Sequence, residues 1–269
     1  MQFFKVFKLF KNIFVVLCLC SLGALQAYYP YYNAGLTDNY EVDLLEQVVN
    51  IYMQKGTIPT SIEYPKPGAQ LIEETDPILY SRCIPIISSV VGAHFARSIK
   101  IYKVPSSSLS WTPELAMVPA FATQSSIYFT EHFFDGQYSE SDRLHDIAHE
   151  AGHIKHQHDR RKTIAIHLLK NLSREASNPS VYTPLTEQER RLIVALYYKA
   201  TPGRTLLEQQ GLLHERQADL EALNTLNIMR ITVPQNIYKS NGSMHPERQR
   251  LCENCWHIAY SSPQFSDLF

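Results

Sequence analysis

Neither sign of charge is in surplus in this 269-residue chain: 25 Lys and Arg stand against 26 Asp and Glu, a formal net charge of −1. Proteins that hold a nucleic-acid backbone do so with a clustered excess of Lys and Arg, so nucleic acid is not an expected partner. Glycine is sparse at ten residues, proline reaches fifteen, and no tract is repetitive or of low complexity, which argues against collagen-like and disordered classes. Past residue 27 no apolar run approaches the roughly 20 residues that span a bilayer. Apolar residues nevertheless make up 45% of the chain, ample for a real core in one or two domains. One residue type is concentrated: of eleven His, five fall between His145 and His158.

Residues 1–27 read as an export signal. Lys5, Lys8 and Lys11 lie in a basic opening with no acidic residue, Ile13 to Leu25 form an apolar core, and Leu25-Gln26-Ala27 suits a signal peptidase. A thirteen-residue stretch is too short for a membrane anchor, and neither Cys18 nor Cys20 has the neighbours of a lipidation site. Cleavage would leave 22 basic against 26 acidic residues, a mature chain of net charge −4 over residues 28–269, without a stable membrane span. The expectation is an exported protein, periplasmic in a two-membrane bacterium and otherwise secreted. Its cysteines would be Cys83, Cys252 and Cys255, the last two spaced to close a short disulfide.

The mature chain reads as one α+β domain. Apolar residues at Val42, Leu45, Val48, Val49 and Tyr52 recur at helical spacing over 38–55, with Gly56 as the stop. A second helix is expected over 78–96, started or broken at Pro85. Ile99 to Val104 alternates with period two, and Met117–Ala122 and Ser126–Thr130 are further strands about a polar turn at Gln124-Ser125. Ser139 and Asp142 carry a capping signal for a long helix whose buried stripe is Leu144, Ile147, Ala148, Ala151 and Ile154. A loop is expected over 171–184, a helix opened by a Thr186–Glu189 capping box runs to about Ala200, and a last helix spans 205–227.

The chemistry concentrates in His149-Glu-Ala-Gly-His153. Residues four apart share a helical face, so both imidazoles can reach one metal ion. Glu150 is rotated about 100° from His149, which suits it to touch a water beside the metal rather than the metal itself. Gly152 costs a helix about 1 kcal/mol relative to Ala, a cost with a purpose if another backbone or a ligand must approach there. A catalytic zinc takes a third protein ligand. In His214-Glu-Arg-Gln-Ala-Asp219, Glu215 and Asp219 again lie four apart; Glu215 can coordinate while Asp219 accepts the second N–H of a ligating His. His214, Glu208 and Glu221 compete for the same role. His145, His156 and His158 read as neighbours of the site, not as ligands.

Four signatures in order then resemble a known family: Ala120-Phe-Ala122 with Ile127-Tyr-Phe-Thr130; HEAGH with His158 five residues on; Glu215-x-x-Ala218-Asp219; and His245-Pro246 followed by Arg250. The chain resembles the zinc metallopeptidases that include the HtpX heat-shock proteases, the CAAX prenyl endopeptidases and the Oma-type proteases, metallopeptidase family forty-eight, over about 84–251. It departs where Pro119 replaces the usual Asn, where Thr123-Gln-Ser125 replaces Pro-Gly-Gly, and in placing Arg250 one residue early.

The resemblance implies a compact gluzincin-like domain, mostly helical, with a small sheet whose edge strand borders the zinc cleft. It also implies one Zn²⁺ per chain on His149, His153 and Glu215, with Glu150 as catalytic base and polypeptides as substrates. The strand at 117–122, with its Pro119, suits an open edge on which an extended peptide can pair. His245, in a loop, is a second catalytic candidate, able to donate to a developing oxyanion. The competing class is a non-catalytic, chaperone-like protein whose zinc-stiffened cleft captures extended clients.

Overall fold

The computed structural model describes residues 40–56, 65–109, 115, 118–136, 139–177, 185–199 and 203–233. The export signal, His245, Arg250, Cys252 and Cys255 lie outside them. Helix α1 (Tyr40–Lys55) is followed by strand β1 (Gln70–Leu71), a short turn of helix α2 (Ile72–Thr75), α3 (Pro77–Val91), α4 (Ala93–Ala96) and strand β2 (Lys100–Lys103). The hairpin strands β3 (Ala120–Ala122) and β4 (Ser126–Phe129) lead to the long helices α5 (Glu140–Lys155), α6 (His158–Ser177), α7 (Glu187–Lys199) and α8 (Gly203–Ile228). Among the described residues this is an α+β fold, predominantly helical with one four-stranded sheet.

Strand order in the sheet is β1-β2-β4-β3, which leaves β3 at an edge. β4 pairs parallel to β2, with Ile101 opposite Ile127, and antiparallel to β3, with Ala120 opposite Phe129. Period-two alternation therefore sends Ile101, Ile127 and Phe129 to one face, into the main core with Ile87 and Val90 of α3, Ile147 and Ala151 of α5, and Leu223 and Leu226 of α8. Tyr128 goes to the other face, stacked between Phe121 at 5.0 Å and Tyr102 at 5.2 Å. The edge strand is shorter than its 117–122 expectation: Val118 and Pro119 stand outside it, their carbonyls accepting from the Thr130 hydroxyl at 2.6 and 3.2 Å.

Two helical expectations are corrected. Pro85 neither starts nor breaks its helix: α3 opens at Asp76, whose side chain accepts from the Leu79 N–H at 3.0 Å, and closes at Gly92, whose φ of 88° suits glycine. An interior proline costs about 3 kcal/mol, but Cys83, Ile86, Ile87 and Val90 are buried on this helix, each worth about 1.5–3 kcal/mol for the larger side chains. The loop expected from Asn171 is helix as far as Ser177. Its opening residues look polar in sequence, and of those whose side chains are described Leu172 and Glu175 are the buried ones, Glu175 accepting from the buried Tyr52 hydroxyl at 2.9 Å.

Candidate metal centre

Helix α5 begins with the expected box: the Ser139 hydroxyl accepts from the Asp142 N–H at 3.2 Å and the Asp142 carboxylate from the Ser139 N–H at 3.1 Å. Arg143, one residue on, ties the helix to the preceding turn by donating to the Phe133 and Asp135 carbonyls at 3.0 and 2.9 Å. Three turns later the helix meets α8. A Cβ on Gly152 would sit 3.1 Å from the Ala218 Cα and 3.3 Å from its carbonyl oxygen. The close approach anticipated at Gly152 is therefore that of another helix's backbone, and Gly152 and Ala218 together set how near the two helices come.

That crossing brings His149, His153 and Glu215 together. Their donor atoms all lie within 4.8 Å of one another. His149 Nε2 is 3.0 Å from His153 Nε2 and 3.4 Å from Glu215 Oε2, and His153 Nε2 is 3.7 Å from Glu215 Oε1. Zinc binds His nitrogen and carboxylate oxygen at about 2.0–2.1 Å in a tetrahedron, whose donor atoms stand about 3.3–3.4 Å apart. The three separations bracket that edge, so the residues fit a zinc ion in both chemistry and spacing.

The surroundings are equally specific. Asp219, 2% exposed, accepts from His149 Nδ1 at 2.7 Å. Only the Nδ1-protonated ring serves both this bond and a metal at Nε2. Burial by itself would lower the pKa of His149, but Asp219 at that distance, with Glu215 and Glu150, raises it well above its ordinary value. A buried imidazole ringed by carboxylates is a field that attracts cations. Glu150 is itself buried beside the cluster.

The competing ligands point elsewhere. His214 is buried with Nε2 3.2 Å from Glu46 Oε1, Glu221 holds Lys155 at 2.6 Å and His156 at 3.4 Å, and Glu208 lies on the exposed face of α8. His145 is buried 3.8 Å from Asp219, His156 stays with Glu221, and neither joins the donor set. His158 is buried, its Nδ1 2.9 Å from His153 Nδ1 and its Nε2 2.9 Å from Gln217 Oε1. Burial, with His214, His153 and His156 as neighbours, pushes the pKa of His158 well below its ordinary value.

Sequence reasoning overlooked the cluster behind this site. Glu46 of α1 accepts from Arg161 at 2.7 Å and from Gln210 at 2.5 Å, besides its contact with His214. Burial alone would raise its pKa, but His214, Arg161 and Gln210 together hold it below the ordinary carboxylate range. The one available signal was a lone Glu on an otherwise apolar helix face.

Among the described residues no helix is long and apolar enough to cross a membrane. Residues 92–250 match the family model described as Peptidase family M48. No curated protein and no solved structure matches the chain.

Proposed function

The chain belongs to Peptidase family M48, a family of zinc-dependent peptide-bond hydrolases, and on that premise we propose that it is an exported zinc endopeptidase cutting unfolded or flexible protein segments. The observation that carries this reading is the tetrahedral spacing of His149, His153 and Glu215 at the α5–α8 crossing. In this proposal those three side chains hold one Zn²⁺ per chain, and Asp219 fixes the His149 tautomer.

A bound zinc ion supplies a Lewis acid that polarises a carbonyl and lowers the pKa of a water to about 7. Glu150, one residue after the first ligand and buried, takes the water's proton on its carboxylate and passes it to the departing amine. His245 donates to the developing oxyanion. Among the described residues β3 is an edge strand, and it packs against α5, so an extended segment pairing with Ala120–Ala122 through its main chain would lie near the helix that carries the ligands, with little demand on its sequence. That is why flexible segments, rather than folded surfaces, are the proposed substrates.

Four measurements test the reading. Metal analysis of the purified protein should find about one zinc per chain, and cleavage of unfolded casein should stop with a chelator and return with zinc. Glu150→Gln should retain the zinc and lose cleavage by about 10²–10⁴-fold; client processing that survives this change would show that a client-holding role, and not hydrolysis, is the function. Amino-terminal sequencing of exported protein should begin at Tyr28.

A further inference from the structure

His149 has Asp219 to orient it; His153 presents a different arrangement. Its Nε2 faces His149 and Glu215, and its other nitrogen, Nδ1, points out of the donor set to His158 Nδ1, 2.9 Å away. We propose that His158, set by Gln217, is the positioning residue of His153: it selects the tautomer whose Nε2 lone pair is free for the metal. The proposal rests on His153 being a ligand, as read above.

Proton positions follow from the chemistry of the three groups. A ligating His153 carries its proton on Nδ1, so His158 Nδ1 must accept. His158 then carries its own proton on Nε2 and needs an acceptor there, which the Gln217 Oε1 supplies at 2.9 Å. Reversing every bond would put a proton on His153 Nε2, where a metal would sit. The amide oxygen of Gln217 therefore sets the direction of a two-bond chain that ends at the metal-facing atom.

His158 is held in place from three other directions. Its ring stacks on His214 at 4.2 Å with 6° between planes, and His214 is anchored on Glu46. The backbone that delivers it is turned sharply between α5 and α6: Gln157 adopts a φ of 55°, in the left-handed region that non-glycine residues seldom occupy. Arg161 secures that turn, its backbone N–H donating to the Gln157 carbonyl at 2.9 Å and its Nε to the His156 carbonyl at 3.0 Å, while its Nη1 reaches Glu46. A continuous helix would carry His158 on past His153, whereas this turn brings it back. Local strain persists where the surroundings over-determine it, often at functional sites.

The two outer partners also differ in charge. Asp219 brings a carboxylate to His149, whereas His158 and Gln217 orient His153 without adding another anion to a centre that already holds Glu215, Asp219 and Glu150. Orientation is thereby separated from charge.

The test is a zinc titration of the full chain against a competing chelator, with cobalt substitution to report ligand geometry by its visible bands. His158→Leu should weaken zinc about 10- to 100-fold and shift the cobalt spectrum. His158→Asn, whose Oδ1 can occupy the Nδ1 position, should recover most of the affinity. Gln217→Met keeps the bulk and His158 itself, and should weaken zinc about 10-fold, which covers the case in which His158→Leu fails to fold. His153→Ala is the reference and should abolish tight binding; if it does not, the ligand reading itself falls. If His153→Ala abolishes binding while His158→Leu and Gln217→Met bind zinc as tightly as the native chain, the positioning role is overturned. An Asn variant no better than Leu overturns it as well, because the loss would then come from packing.

Discussion

Helix α8 carries two polar clusters, and they have opposite characters. On one side Glu46 meets Gln210, His214 and the guanidinium of Arg161, so its negative charge is answered by a cation of the chain itself. On the other side Glu215 and Asp219 meet imidazoles, His149 and His153, which offer lone pairs at a metal's spacing. Both clusters use carboxylate with histidine, the first buried and the second partly open to solvent at His153 and Glu215. What separates them is a permanent cation, which Arg161 supplies to Glu46. A carboxylate with its own Arg is a structural fastener; carboxylates set against imidazoles at a metal's spacing form a donor set.

The comparison can be broken most severely at Glu46. Glu46→Ala leaves Arg161 without its carboxylate, and removing one member of a buried pair costs about 3–5 kcal/mol; a urea titration should show that loss. A loss below about 1 kcal/mol would mean the cluster is not the fastener described. On the metal side, Asp219→Asn should leave folding nearly intact and weaken zinc about 10- to 100-fold, read by chelator competition. If instead the fold collapses and zinc affinity stays, the two clusters have been assigned the wrong way round.

Acid sharpens the same contrast. The folded pKa of Glu46 lies below its ordinary value, so the unfolded chain takes up this proton at higher pH than the folded one. The stabilisation is complete above about pH 4.3, the unfolded value for Glu, and is lost as pH falls through the lower folded value. Stability measured at pH 7 and again below pH 4 should therefore drop more in the native chain than in Glu46→Gln, and an equal drop would remove Glu46 from the account.

The smaller effects come from the backbone. Gly152→Ala must open the α5–α8 contact by a few tenths of an ångström against the Ala218 Cα at 3.1 Å, and overpacking of this kind costs about 1–3 kcal/mol. Gln157→Gly relieves a left-handed φ and should gain up to about 1 kcal/mol, visible as a higher midpoint in thermal unfolding.

How much of this was legible beforehand follows from the range of the interactions. Capping at Ser139 and Thr186 came through unchanged because a cap bonds within three residues. His149, His153 and the β3–β4 hairpin were readable because a helical face and a strand alternation are local periodicities. The helix through Asn171, the tolerance of Pro85 and the turn at Gln157 were not, since each is decided by burial against distant elements: Glu175 by Tyr52, Pro85 by the apolar neighbours that flank it, Gln157 by Arg161 and Glu46.

For the site, the amino-acid sequence by itself determined the two histidines, the glutamate between them and the pairing of Glu215 with Asp219, because side chains four apart on a helix must share a face. Only the tertiary structure decided which acid of α8 reaches them. It did so through one steric fact, the absence of a side chain at Gly152, which lets the Ala218 backbone close to contact distance and turns Glu215, rather than His214 or Glu221, toward the histidines. Helical spacing sets what one helix can offer; only the crossing of two helices sets what they can hold between them.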